Sequence, residues 1–288
     1  MSKQSIGIPE AVRRLPPLPQ VLAKALALAR DPRSRRSDLA RVLALDQGMT
    51  GYFLFMVNSA YFGLPRRITS IDEAIGYLGF DTVEQVILAL AASDTLSQAV
   101  PSYLMEREAL WRHSVAVAEG ADWIAKGHRI GQPSEAYVAG LLHDVGKLGV
   151  DVLLHRLPDW HEAEAEEAEE AEPVAWTAVE RREVGSDHAA IGALMVRSWN
   201  LPDRVVEAVA CHHDLTQAEL DPRFAATVHL ANVAALMAGI GLGVDGLRYA
   251  LDESAIALLE WGEEDMMALV EQMEPAVQRA EQMLRVKV

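Results

Sequence analysis

Apolar residues recur at three- and four-residue intervals along most of the chain, and no stretch alternates in the manner of a strand. Leu15 to Gln20 (LPPLPQ) reads as extended. It leads into a helix over Val21 to Ala29 that Asp31 and Pro32 stop. Ser37 stands in N-cap position for SDLARVLALD. Met49 to Val57 is apolar on almost every side, which predicts a buried helix. Asn58, Gly63 and Pro65 punctuate a loop, whose Tyr61 and Phe62 would form an exposed recognition loop or, the expectation preferred, plug the space between subdomains. Ser70 is the predicted N-cap of Ile71 to Leu78. Asp81 is that of an apolar helix from Thr82 to Leu96.

Pro101 and Ser102 interrupt the pattern and divide residues 1–103 from 104–288. The second part opens with an amphipathic helix over Glu106 to Lys126 carrying Trp111, His113 and Trp123. Further helices are predicted over Ser134 to Val145, Trp176 to Glu183, Asp187 to Asn200, Pro202 to Cys211 and Phe224 to Met237. A few shorter ones follow Asp252. The acidic run from His161 to Ala175 reads as a solvated helical face or a loop. The expected fold class is all-α, a multi-helical bundle of two packed helical subdomains.

Composition narrows the function classes. Half of the 288 residues are hydrophobic, enough for a sizeable core. A formal net charge of −16 argues against nucleic acid as a partner, because a phosphate backbone would be repelled. The single cysteine, Cys211, rules out an internal disulfide and agrees with a reducing compartment. MSKQSIGIPE has no apolar signal core, and no run reaches the roughly 18 apolar residues of a membrane span. A soluble cytoplasmic protein without a membrane partner is expected.

The chemistry gathers around AGLLHDVGKLGV, Ala139 to Val150. His143 and Asp144 are adjacent, Gly146 is expected to loosen the backbone, and Lys147 supplies a cation. His113 precedes them, and His188, His212 and His213 follow. Of nine histidines, these five fall beside apolar helix faces in one half of the chain. Metal sites in helical folds take ligands from several facing helices, so long gaps are expected. Imidazole and carboxylate suit iron, manganese, zinc or nickel, as one ion or two, with the second oxygen of Asp144 free to bridge. Two ions about 3.5–4 Å apart would activate water and clamp a phosphoryl oxygen. Lys147 would either place charge near a phosphate or cap a helix C-terminus.

HDVGK, with His113 upstream and His188 downstream, resembles the HD superfamily of metal-dependent phosphohydrolases. The HDOD family is resembled more specifically, through LPPLP, SDLARVLALDQGMT, NSAYFGLPRRITSIDEAIGYLGF, AGLLHDVGK, ERREVGSDHAAIGALMVRSWNLPDRVVEAVACHHD and HLAN, over Leu15 to Met237. The resemblance implies an HDOD-type N-terminal subdomain on an HD-like one that houses the histidines. It implies His113, His143, Asp144, His188, His212 and His213 as metal positions. Asn232 stands where the superfamily's last aspartate belongs, which should weaken metal on the His113, His143 and Asp144 side. After His213 the chain reads DLTQAELDPR, without the Gly-Tyr-Pro signature of the related HD-GYP phosphodiesterases. His229, one turn before Asn232, reads as a structural histidine; His128, His155 and His161 have no assigned place.

The function so implied is a signal-transduction module acting through proteins such as response regulators or sensor proteins, around a partly degenerate metal site. A nucleotide or phosphate ligand fits the same resemblance. The alternative is a metal-dependent phosphohydrolase or phosphodiesterase acting on a (cyclic) nucleotide. Asp144 and Lys147 would then be catalytic.

Overall fold

A computed structural model describes residues 20–31, 33–45, 50, 53–54, 57–58, 66–155, 175–246 and 248–284. Among them are twelve α-helices and two short 3-10 turns. The only strand-like pairing among them is one antiparallel bridge, Val100 to Met105. The helices are α1 (Gln20–Arg30), α2 (Arg36–Leu43), α3 (Ile71–Leu96), α4 (Ala109–His128), α5 (Pro133–Leu142), α6 (Gly146–Leu154), α7 (Trp176–Val184), α8 (His188–Ser198), α9 (Asp203–Cys211), α10 (Pro222–Met237), α11 (Glu253–Leu259) and α12 (Glu263–Leu284). The all-α expectation holds. No described helix is long and apolar enough to cross a membrane.

The described residues form two compact units, one within 96–274 and the other within 20–95 together with 275–284. In the smaller unit Leu26, Leu39, Leu43, Ile68, Ile75 and Ile87 are buried. Ser70 caps α3 as predicted, its hydroxyl accepting from the Glu73 N–H at 3.2 Å. Asp81 was expected to start a new helix. The break lies at Gly79 instead, with φ 77° and ψ 171°, a conformation that a residue without Cβ adopts at no steric cost. Asn58 does more than punctuate a loop: its amide donates to Ile68 O at 2.8 Å and accepts from Ile68 N at 2.6 Å. LPPLP, Met49, Tyr61, Phe62, Gly63, Pro65 and the acidic run up to residue 174 lie outside the described residues.

In the larger unit α4 packs against α5 and α10, and α8 against α6 and α9. The starts of α8 and α10 are set by side chains. Asp187 accepts from the Ala190 N–H at 2.8 Å, and Asp221 from Phe224 N–H at 3.1 Å, with Pro222 in the first turn. α5 ends at Leu142, before the predicted Val145, and α6 begins at Gly146. Gly146 does not loosen the chain there. A Cβ on it would lie 1.9 Å from His188 O and 2.5 Å from Gly192 N, so its bare Cα is what lets α6 meet α8. Lys147 therefore stands in the first turn of α6, which removes the expected role of capping a helix C-terminus.

Candidate metal centre

Eight residues singled out in the sequence come together inside the larger unit. α4 carries His113, the link between α5 and α6 carries His143 and Asp144, and α6 carries Lys147. His188 is the first residue of α8, His212 and His213 directly follow α9, and Asn232 lies in α10. All are buried except His213, which is half-buried.

The Asp144 carboxylate is the centre, and its oxygens divide the partners. Oδ1 faces His188 Nε2 at 3.3 Å and His212 Nε2 at 3.7 Å. Oδ2 faces His143 Nε2 at 3.3 Å, His113 Nε2 at 3.6 Å and Lys147 Nζ at 2.7 Å. His213 Nε2 lies 3.0 Å from His188 Nε2. The donor atoms form two overlapping groups, each within 4.8 Å: Asp144, His188, His212 and His213; and His113, His143 and Asp144.

Four of the five rings are aimed by their other nitrogen. His143 Nδ1 donates to Gly140 O at 2.7 Å, His212 Nδ1 to Val209 O at 2.8 Å and His113 Nδ1 to Ile240 O at 3.0 Å. A carbonyl can only accept, so in the neutral ring the proton sits on Nδ1 and Nε2 is a bare lone pair. His188 differs: its Nδ1 donates to Glu180 at 2.9 Å, and its backbone N–H donates to the same carboxylate at 2.8 Å. Such outer partners fix tautomer and ring direction in metal sites.

The charge states follow. Burial pushes His113 down to about 4, and lowers His143, His212 and His213, against the pull of Asp144. Burial also works against the His188 charge. There Glu180 and Asp144 outweigh it and lift the ring to about 10. Asp144 stays well below the usual carboxylate range because His143 and Lys147 overcome its burial. Neutral imidazole lone pairs thus face carboxylate oxygen, acceptor against acceptor. The buried His143 Nε2, His212 Nε2 and Asp144 Oδ1 have no hydrogen-bond partner. Buried polar atoms are nearly always paired, and a cation beside Asp144 Oδ1 and His212 Nε2 would satisfy those two. The donor set fits a divalent ion and could hold one.

Three residues not singled out in the sequence belong to the site. Glu180 is fully buried and also accepts from Tyr103 Oη–H at 2.5 Å. Asp245, 1% exposed, lies 2.6 Å from Lys147 Nζ through Oδ2. Tyr249 donates to Asp245 Oδ2 at 3.1 Å and stacks on His213, ring centroids 3.9 Å apart and planes 20° apart. His229 is structural, as expected: Nδ1 meets His212 O at 2.8 Å and Nε2 accepts from Asp252 N–H at 2.9 Å.

The HDOD domain model matches residues 15–215. An uncharacterized protein of Treponema pallidum (strain Nichols) is 28% identical over 238 residues, which is 81% of this chain and 44% of that protein. The chain thus spans less than half the length of this curated relative. Among solved structures, an HDOD domain protein from Geobacter sulfurreducens shares the fold at a TM-score of 0.65 and 23% identity, covering 95% of this chain and 92% of that one. A protein of Marinobacter aquaeolei VT8, provisionally named a signal transduction protein, superposes at 0.70 with 21% identity, covering 97% and 64%. One from Shewanella amazonensis SB2B, provisionally named a phosphohydrolase, does so at 0.64 with 22% identity, covering 94% and 100%.

Proposed function

The chain belongs to the HDOD family, and from that premise we propose that it is a regulatory signalling module that acts through protein partners, with a divalent ion held by Asp144, His188, His212 and His213. The observation that carries this reading is the closure of the site. Asp144, His188 and His212 are at most 1% exposed, and Tyr249 covers the half-buried His213. Catalytic metal sites keep an open position for water or substrate, whereas structural ones are closed by protein ligands. Bound there, the ion supplies a positive charge to which four ligands are tied. The chain's own residues do the rest: Glu180 orients His188, and the Gly140 and Val209 carbonyls orient His143 and His212. The link between α5 and α6, the start of α8 and the end of α9 would thereby be fixed together.

The partners that suit this reading are response regulators or sensor proteins. The net charge of −16 disfavours nucleic acid. Crosslinking in cells followed by mass spectrometry tests it, with wild type compared to His212→Ala. The expected result is a set of signalling proteins whose recovery falls in the variant. Identical recovery from both, or no partner at all, would overturn the reading. A second reading, a phosphohydrolase, draws on the half-buried His213, the one metal-facing imidazole within reach of solvent.

A further inference from the structure

We propose that Lys147 is a built-in cation that fills the second metal position, so that the centre takes one divalent ion and not two. The inference uses the metal reading above only to place the first ion.

Lys147 is 3% exposed, and its Nζ lies 2.7 Å from Asp144 Oδ2 and 2.6 Å from Asp245 Oδ2. Asp144 Oδ2 is the oxygen that faces His143 and His113. The ammonium therefore sits on the oxygen through which a second ion would be bridged. A metal bound to the same oxygen at about 2.0–2.2 Å would lie within a few ångströms of Nζ. Two cations so close, away from water, repel strongly. Both cannot be accommodated while Lys147 keeps its place.

The other ligands on this side agree. His113 donates from Nδ1 to Ile240 O, which leaves Nε2 as an acceptor, and Asn232 Oδ1 lies 3.0 Å from that nitrogen. Asn232 thus offers this side a neutral amide oxygen. It brings no negative charge, yet a carboxylate is still present. Asp245, from the segment between α10 and α11, supplies it and is held by Tyr249. Asp144 and Asp245 flank one ammonium, and the Tyr103 ring lies 5.4 Å from Nζ on a further side. Asp144 and Asp245 together form a site built around a lysine.

The test counts ions. Wild type, Lys147→Ala and the double variant Lys147→Ala/Asp245→Asn are stripped with chelator, reloaded with Mn2+, desalted and measured by elemental analysis. Lys147→Ala should bind one Mn2+ per chain more than wild type, and the double variant should return to the wild-type number. Equal counts in wild type and Lys147→Ala, or two ions in wild type, would overturn the proposal. An ion-free wild type with one ion in Lys147→Ala would sink the ion proposed on Asp144, His188, His212 and His213 and leave Lys147 as the cation of the second position. Should Lys147→Ala not fold, the wild-type electron paramagnetic resonance spectrum decides. An isolated six-line Mn2+ signal supports a single ion, and a spin-coupled pair contradicts it.

Discussion

Glu180 holds His188 by two bonds at once, accepting its backbone N–H at 2.8 Å and its Nδ1–H at 2.9 Å. The same carboxylate also accepts from Tyr103. The middle of α7, the start of α8 and the turn before α4 therefore share one buried anion, and its effect on His188 is both orientation and basicity. Loss of such an outer partner commonly lowers metal affinity about 10–100-fold. Glu180→Gln should weaken Mn2+ binding within that range, and calorimetric titration reads it directly. Tyr103→Phe, which leaves the His188 bonds in place, should have the smaller effect.

His188 also fixes a pH dependence. Its ring is lifted to about 10, so near neutral pH the metal-free protein carries a proton there. A metal ligand must shed it. About one proton per ion should be released between pH 7 and 9, and affinity should rise about tenfold per pH unit. Titrations in buffers of different ionisation enthalpy measure the proton count. A pH-independent affinity would contradict this assignment of charge.

Stability of the metal-free protein should respond to acid through His113. Burial holds this ring at about 4, below its ordinary 6.5. The unfolded chain then binds the proton first as pH falls. The stability His113 contributes is present above pH 6.5 and is lost down to about 4, a change on the order of 3 kcal/mol. His188 has the opposite sign: its contribution is present below 6.5 and fades as pH rises toward about 10. Urea melts across this range should show the acid-side loss shrinking in His113→Gln.

Gly146→Ala tests the helix contact beneath the site. The added methyl would lie 1.9 Å from a backbone oxygen, which cannot swing aside as a side chain can. The expected cost is about 3 kcal/mol. Metal affinity should fall with it, since α6 and α8 carry Lys147 and His188. Thermal melts with and without Mn2+ separate the two effects.

Much of the fold and site was legible in the sequence. Periodicity gave the helices, because each buries one face in a common core. Runs such as HDVGK and CHHD drew attention because histidine is scarce. Glu180 and Asp245 were not legible for the opposite reason. In a chain with 42 acidic residues, a carboxylate is ordinarily solvated, and only the packed structure distinguishes two buried ones. Glu180 opens the run ERREVGSDH, eight residues before His188, and that spacing is its one signal. The role of Gly146 was misjudged because a close approach between helices distant in sequence leaves no local mark. The Gly79 break lay two residues from the predicted cap, where a left-handed glycine took precedence over an aspartate.

The central claim, a metal-holding regulatory module, is tested most directly by turnover. Protein reloaded with Mn2+ or Fe2+, its ion content verified, is assayed against a phosphodiester chromogen and cyclic dinucleotides beside His212→Ala. The expected result is bound metal in wild type and the same background rate in both proteins. Turnover in wild type that disappears with His212 would contradict the claim and make the centre catalytic.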